Sequence, residues 1–137
     1  MALTHLIDTS AINRLREPTV LAVVEPLVRA RRVGRAGITD LEIGYGSRKA
    51  AEWDADLRAL EIFPLVETTG DDLVRARTVQ RLLASRSQRG RKIPDLLIAA
   101  AAERERLELL HFDHDFDRIA KVTGQRCSWV VPPGSVD

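Results

Sequence analysis

Apolar runs of strand length alternate along the chain with segments in which apolar residues recur at helical spacing. This alternation is typical of an α/β fold, in which helices cover both faces of a mostly parallel sheet of about five strands. No repeat, low-complexity tract or long linker divides the chain, so we predict a single domain over residues 1–137. The predicted strands are LTHLI (3–7), VGRAGI (33–38), IFPLV (62–66), LELLHF (107–112) and CSWVV (127–131). The predicted helices span 11–16, 19–32, 40–60, 71–87, 94–106 and 115–122.

Acidic residues stand where the predicted strands end or where the following helices begin. Asp8 and Asp113 each directly follow a predicted strand, and Glu42 comes four residues after another. Asp95 belongs to the first turn of the helix that begins at Pro94, a residue that suits a helix start. In open α/β sheets, ligands bind beyond the carboxyl ends of the strands. We therefore expect these four carboxylates to collect at one edge of the sheet.

Each of these acids also has an ordinary structural explanation. Asp8 is a favourable N-cap for a helix that Thr9 and Ser10 open, and Asp95 complements the dipole of its helix. Glu42 fits a surface position. Collected together, however, four carboxylates repel one another and raise one another's pKa values unless a cation is present. Because the ligands are oxygens, with no cysteine or histidine cluster, we expect Mg²⁺, with Mn²⁺ as the alternative.

The run LLHFDHDFDRIA (109–120) places Asp113, Asp115 and Asp117 at alternate positions. An EF-hand calcium loop needs Gly at its sixth position and Glu at its twelfth, where this chain has Arg118 and Gly124. Asp115 and Asp117 fall in the first turn of the last predicted helix, where acids complement the helix dipole. The run is therefore either a helix start that carries acids or one part of a metal site completed from elsewhere in the chain.

The composition narrows the class of protein. A single cysteine, Cys127, excludes an intramolecular disulfide and a cysteine-rich zinc site. The first residues lack the pattern of a signal peptide, and no apolar stretch approaches the ~20 residues of a membrane span. These features favour a soluble, cytoplasmic protein. The net charge of +1 does not by itself predict a polyanionic partner, but 18 of the 21 basic residues are arginine, which forms bidentate contacts with phosphate.

The basic residues are concentrated in two clusters. Five lie between Arg81 and Lys92 with no acid among them, and four more lie between Arg29 and Arg35. Because Arg91 and Lys92 come just before Asp95, we expect these two to hold phosphates of a substrate. For either cluster the alternative is a solvated helix end whose cations lie near the negative pole of the helix dipole.

The stretches LIDTSAI, TDLEIGYG, IPDLLIAAAA and LLHFDHDFDRIA occur in this order across nearly the whole chain. Together they resemble the PIN domain ribonucleases, and specifically the VapC toxins of bacterial toxin–antitoxin pairs. The resemblance implies a PIN-like α/β/α sandwich. It also implies a catalytic metal site formed by Asp8, Glu42, Asp95 and Asp113, with Asp115 as an auxiliary acid.

Further expectations come from the same resemblance. Thr9 or Ser10 is the small polar neighbour of the first acid, and we expect both residues to contact substrate. Asp117 is a helix-start residue that points away from the site. The family commonly has Thr or Ser two residues before the fourth acid, where this chain has His111. We assign His111 to the residues that contact substrate, and two alternatives stay open: it orients a neighbour, or it packs within its strand.

The activity implied by the resemblance is that of a metal-dependent endoribonuclease that cuts a structured RNA, such as transfer RNA, within a single-stranded loop. Carboxylate-held metal ions activate the attacking water and neutralise the growing charge on the phosphorus oxygens. Two other classes stay open: a phosphatase-like or nucleotide-binding protein with a DxD or DxDxT acid pair on Asp8, and a non-catalytic binding module. The phosphatase alternative is weakened because LIDTSAI lacks the second Asp that would act as general acid.

The resemblance also implies partners. These are a second copy of the chain and a cognate VapB-type antitoxin, which together form a heterotetramer or a larger assembly. An antitoxin segment in an apolar groove is expected to direct a basic side chain toward the acids. The candidate surfaces are LAVVEPLVRA (21–30) and TDLEIGYGSRKAAEWDADL (39–57), in which Tyr45 and Trp53 lie on one long predicted helix. Burial in the core is the alternative for both segments.

Overall fold

The computed structural model describes residues 2–88 and 92–137. Its centre is a sheet of five parallel strands in the spatial order β3-β2-β1-β4-β5. The five predicted strands are confirmed, and every pairing between them is parallel. The strands are β1 (His5–Ile7), β2 (Val33–Ala36), β3 (Leu65–Val66), β4 (Glu108–His111) and β5 (Cys127–Trp129).

Seven α-helices are found in the described ranges, together with a short 3₁₀ turn at Leu60–Ile62. None of the described helices is long and apolar enough to cross a membrane. The helices are α1 (Thr9–Ile12), α2 (Pro18–Arg29), α3 (Gly37–Tyr45), α4 (Ala50–Ala59), α5 (Gly70–Ser85), α6 (Ile93–Arg104) and α7 (Asp115–Thr123).

The sheet is buried on both faces. Successive residues of a strand point to opposite faces, and in β1 both Leu6 and Ile7 are fully buried. Leu6 packs in a cluster with α5, α6 and α7, whereas Ile7 packs in a second cluster with α1 and α2. The predicted α/β/α sandwich is therefore confirmed. A single domain over residues 1–137 remains a prediction, which the sharing of one sheet by all five strands supports.

The prediction of one helix over residues 40–60 is wrong. The chain forms two helices, because α3 ends at Tyr45 and α4 begins at Ala50. Gly44, Gly46 and Ser47 have low helix propensity, so they disfavour a continuous helix across this segment. Gly44 also lets α4 pack closely, since a Cβ at this position would overlap the indole of Trp53.

The topology places the carboxyl ends of β1 and β4 side by side. From β1 the chain builds β2 and β3 on one side and then β4 and β5 on the other, so the order reverses between β1 and β4. The N–H of Asp8 donates to the carbonyl of Leu110 at 2.8 Å, and the N–H of Phe112 donates to the Ser10 hydroxyl at 2.9 Å. A reversal of this kind opens a crevice at the strand ends, where Asp8 and Asp113 both lie.

Candidate active site

Asp8 caps α1 with one carboxylate oxygen and keeps the other available. Its Oδ2 accepts hydrogen bonds from the Ser10 N–H at 2.9 Å and the Ser10 hydroxyl at 2.5 Å. Its Oδ1 is buried and has no hydrogen-bond partner among the described residues. Burial raises the pKa of Asp8 to about 6, opposed by the Ser10 hydrogen bonds and reinforced by Glu42. The N-cap explanation is therefore correct for one oxygen but does not account for the other.

Glu42 lies in the second turn of α3, where a side chain from α1 fixes its carboxylate. The Thr9 hydroxyl donates to Oε1 of Glu42 at 2.7 Å, and it lies 3.5 Å from the hydroxyl of Thr39. Both threonines are buried. Since Thr9 directly follows Asp8, this hydrogen bond holds the Glu42 carboxylate beside the first acid.

Asp95 reaches the same place from α6. It lies in the first turn, directly after Pro94, and only 4% of it is exposed. Its Oδ2 is buried without a hydrogen-bond partner in the described part of the chain. Burial, together with the negative charges of Asp8 and Asp113, raises the pKa of Asp95 to about 8. At neutral pH this carboxyl group therefore retains a proton unless a cation takes the place of that proton.

Asp113 and Asp115 complete a compact acidic cluster. One oxygen from each of Asp95, Asp113 and Asp115 lies within 4.8 Å of the other two. Asp113 Oδ1 also accepts the Asp115 N–H at 2.9 Å, which ties the two acids together. Asp117 instead accepts a hydrogen bond from the Trp129 indole at 3.1 Å. Its side chain is thus directed at β5, in agreement with the expectation that it points away from the site.

A cleft of about 250 Å³ is lined by four acids: Asp8, Glu42, Asp95 and Asp113. The four predicted metal ligands and three of the predicted substrate-binding residues meet here. Lys92 Nζ lies 3.5 Å from Asp113 Oδ2, and the pKa of Lys92 is raised by Asp113 and then by Asp95. The ammonium is therefore charged beside the acids. The lining residues are Asp8, Thr9, Ser10, Asn13, Arg14, Glu42, Lys92, Asp95, Phe112 and Asp113.

Two other sets of basic residues were candidates from the sequence: Arg91, and the cluster between Arg29 and Arg35. Arg91 falls outside the described residues, so its predicted contact with substrate stays a prediction. In the cluster between Arg29 and Arg35, Arg29 pairs with Glu25 and Arg35 pairs with Asp40. Neither arginine lines the cleft. Arg35 is buried, which favours a structural role, whereas the exposed Arg29 in the last turn of α2 fits a solvated helix end.

His111 does not reach the cleft, contrary to its assignment as a substrate-binding residue. It is fully buried, and its ring lies 5.0 Å from both the Phe116 and the Trp129 ring centroids. Burial lowers its pKa to about 4, so the imidazole is neutral at neutral pH. The Asp113 N–H lies 3.2 Å from His111 Nδ1, which accepts this hydrogen bond. His111 therefore acts on the site through the backbone of Asp113.

Three cleft residues were not predicted from the sequence: Asn13, Arg14 and Phe112. The Arg14 guanidinium lies 4.3 Å from the centroid of the Phe112 ring. Phe112 directly precedes Asp113, and that adjacency is the one signal that the sequence offered for it. Arg14 falls within the helix predicted over 11–16, but α1 ends at Ile12, so the helical pattern did not indicate where its side chain points.

Comparison with known proteins places this cleft in context. The PIN domain family matches residues 5–122. The chain is 57% identical to Ribonuclease VapC51 of Mycobacterium tuberculosis (strain ATCC 25618 / H37Rv), over the full length of both proteins. It is 39% identical to Ribonuclease VapC21 of M. tuberculosis (strain CDC 1551 / Oshkosh), over 98% of this chain and 99% of that relative.

Solved structures share the fold at lower sequence identity. The crystal structure of DNA-bound VapBC from Salmonella typhimurium contains a chain that superposes with a TM-score of 0.76 at 18% identity, covering 94% of this chain and 99% of that one. For VapBC-5 from Mycobacterium tuberculosis the TM-score is 0.68 at 20% identity, covering 92% and 98%. At these identities the likeness establishes the α/β/α fold.

Proposed function

The chain belongs to the PIN domain family and to its VapC group, and on this basis we propose that it is a metal-dependent endoribonuclease. The observation that carries the proposal is the convergence of acids from separate elements in one cleft. Two of them, Asp8 and Asp95, present buried oxygens that no described group of the chain hydrogen-bonds. Buried polar atoms are normally satisfied, so these oxygens fit a ligand that the chain itself does not provide.

A divalent cation is the ligand that these oxygens fit best. An all-oxygen donor set favours Mg²⁺, with Mn²⁺ as the alternative. We propose Asp8, Glu42, Asp95 and Asp113 as the residues that hold it, with Asp115 as an auxiliary acid. When bound, such a metal neutralises charge on the scissile phosphate and lowers the pKa of water.

The chain's own side chains prepare the site for this chemistry. Ser10 fixes one oxygen of Asp8 and Thr9 fixes one oxygen of Glu42, so both carboxylates are oriented before substrate arrives. We infer that Lys92 holds a phosphate of the substrate, since its ammonium lies at the edge of the acid cluster. Asp8 and Asp95 are buried, so their interaction with a bound cation is screened less than that of exposed carboxylates.

We propose RNA as the substrate, since the relatives with full-length similarity are named ribonucleases. A cleft of about 250 Å³ suits one phosphate and its immediate neighbours. A single strand enters such a space more readily than a duplex, and loops of structured RNA expose single strands. A loop in transfer RNA or in another structured RNA is therefore the proposed target.

The phosphatase alternative receives no support from the geometry. An aspartyl-phosphate mechanism needs a second acid two residues after Asp8, where this chain has Ser10. The Ser10 hydroxyl donates a hydrogen bond to Asp8 Oδ2, and a serine hydroxyl is too weak an acid to replace the missing carboxyl group as general acid. Asp8 is therefore better suited to hold a metal than to form a covalent intermediate.

We further propose that the chain forms a homodimer and is neutralised in the cytoplasm by a VapB-type antitoxin, in a heterotetramer or larger complex. Solved structures with the same fold are VapBC complexes. Leu41 and Tyr45 are exposed to 67% and 93%, and both lie beside Glu42. An antitoxin segment that packs on these two side chains ends at the cleft. Exposure of 42% for Leu21 and 39% for Val23 makes α2 the second candidate surface.

The activity is tested by incubating the purified protein with total cellular RNA in Mg²⁺ or in EDTA and mapping the new 5′ ends. Mg²⁺-dependent cleavage at defined positions is expected. Asp8→Asn should abolish it, whereas Asp117→Asn should retain it, because Asp117 lies in the same acidic run but faces Trp129. Full cleavage by Asp8→Asn, or equal cleavage in EDTA, would contradict the proposed site.

A further inference from the structure

A fixed cation lies on the wall of the cleft that α1 and β4 form. The Arg14 guanidinium stacks 4.3 Å from the centroid of the Phe112 ring, and both residues line the cleft together with Asp8 and Asp113. A guanidinium over an aromatic face is held by cation–π attraction and by its flat shape. The position of this positive charge is thus set before any ligand binds.

Main-chain oxygens accept the hydrogen bonds that hold Arg14. Its Nη1 donates to the Ser10 carbonyl at 2.7 Å, and its Nε donates to the backbone oxygen of Asp137 at 2.9 Å. These contacts use two of the five N–H donors of a guanidinium. Arg35 and Arg104, by contrast, each direct two nitrogens at a single carboxylate. Arg14 thus borders an acidic cleft, yet in the described ranges its hydrogen bonds go to the backbone and not to a side-chain carboxylate.

A planar cation with unused donors, fixed at the edge of a nuclease cleft, is suited to bidentate binding of a phosphate. We propose that Arg14, stacked on Phe112, binds an RNA phosphate adjacent to the scissile one and so sets the register of the strand over the acids. Lys92 is less suited to this role, because its flexible ammonium is shared with Asp113. This inference rests on the proposed ribonuclease function and adds to it a residue that determines position along the strand.

The test is the binding of a fluorescent single-stranded RNA oligonucleotide in EDTA, measured over a series of salt concentrations. Arg14→Gln should bind about tenfold more weakly, the lower limit for a lost hydrogen bond to a charged group. The slope of log affinity against log salt should fall by about 0.7, as expected for one phosphate contact on a single strand. Phe112→Leu removes the ring on which Arg14 stacks but keeps the apolar volume and leaves the charge of Arg14 in place. It should therefore weaken RNA binding without changing the salt slope.

Arg126→Gln is the matched control. Arg126 directly precedes β5, at the opposite end of the strand from the cleft, and its side chain is 72% exposed. The substitution Arg126→Gln removes the same charge as Arg14→Gln without affecting the proposed contact with the RNA phosphate. Arg14→Lys should recover the salt slope but only part of the affinity, because Lys lacks the planar fork.

The outcomes separate a binding role from a structural one. Weaker binding by Arg14→Gln with an unchanged salt slope would show that Arg14 only supports α1 and would overturn the inference. An Arg14→Gln variant that matches Arg126→Gln in affinity and slope, while the wild type cleaves RNA, would overturn the inference and leave the ribonuclease function intact. Absence of cleavage by the wild type with Mg²⁺ and with Mn²⁺ would instead reject the proposed function on which the inference rests.

Discussion

Replacement of Asp95 by Asn should stabilise the metal-free protein, although it removes a buried carboxyl group that we assign to the active site. Burial and the neighbouring acids raise the pKa of Asp95 from 3.8 to about 8, which corresponds to roughly 6 kcal/mol against the ionised form. Water in the open cleft screens part of this repulsion, so we expect a gain of about 2 kcal/mol at pH 8. For a chain of this size that gain raises the melting temperature by roughly 6 °C.

The gain should depend on pH in a defined direction. A raised pKa means that the folded state binds the proton more tightly than the unfolded state does. The stability of the wild type in EDTA therefore falls as pH rises from about 4 to 8, the interval between the two pKa values of Asp95. Asparagine does not titrate, so the advantage of Asp95→Asn should be small at pH 4.5 and largest at pH 8.

Thermal and urea denaturation in EDTA at these two pH values measures the effect. Asp72→Asn is the control, because Asp72 is also buried in the first turn of a helix but accepts hydrogen bonds from Arg104 at 2.8 and 3.1 Å. Its pKa is lowered, so its contribution is present above pH 4 and the substitution should destabilise. Mg²⁺ should stabilise the wild type at pH 8 and Asp95→Asn much less. A destabilised Asp95→Asn in EDTA at pH 8, or a gain independent of pH, would refute the reasoning.

Four further predictions concern the site and the proposed partners. Lys92→Ala should weaken RNA binding and reduce the slope of its salt dependence. An unchanged slope would show that Lys92 is an ordinary surface residue that holds no phosphate. Thr9→Val, which removes the 2.7 Å hydrogen bond to Glu42, should weaken Mg²⁺ binding by about tenfold in calorimetry; an unaltered affinity would show that Glu42 needs no such support. Size-exclusion chromatography with light scattering should find a dimer. A co-expressed VapB-type antitoxin should abolish cleavage, and this inhibition should compete with the binding of Mg²⁺. A monomer at high micromolar concentration, or inhibition insensitive to an Arg→Ala scan of the antitoxin, would contradict these partner assignments.

The fold was predictable because its signals are local. Each strand is a short apolar run, and in a parallel sheet the carboxyl ends of the strands meet at one edge. Asp8 and Asp113 follow their strands directly, so their approach could be predicted from the sequence alone. The wrong prediction of one continuous helix over residues 40–60 also has a local cause. Apolar residues recur at helical spacing throughout that segment, but Gly44 and Gly46 allow a break there.

The parts of the site that were not predicted depend on contacts between distant residues. Arg14 and Phe112 are far apart in sequence, and only the pairing of β1 with β4 brings the guanidinium over the ring. His111 was assigned to the substrate because of its neighbours in the sequence. Its burial depends on packing against Phe116 and Trp129, which belong to α7 and β5. Spacing along the chain contains no information on either contact.

The comparison of Asp72 with Asp95 shows how a buried structural acid differs from the acid that we propose as a metal ligand. Both lie in the first turn of a helix, both are buried, and the helix dipole explains either one from the sequence. Asp72 is hydrogen-bonded by Arg104 and by the backbone N–H of Thr69, which satisfies the charge. Asp95 has an oxygen without a partner among the described residues and acids for neighbours. Burying an unsatisfied carboxylate costs stability. The proposed cation would offset this cost, and the Asp95→Asn variant measures it.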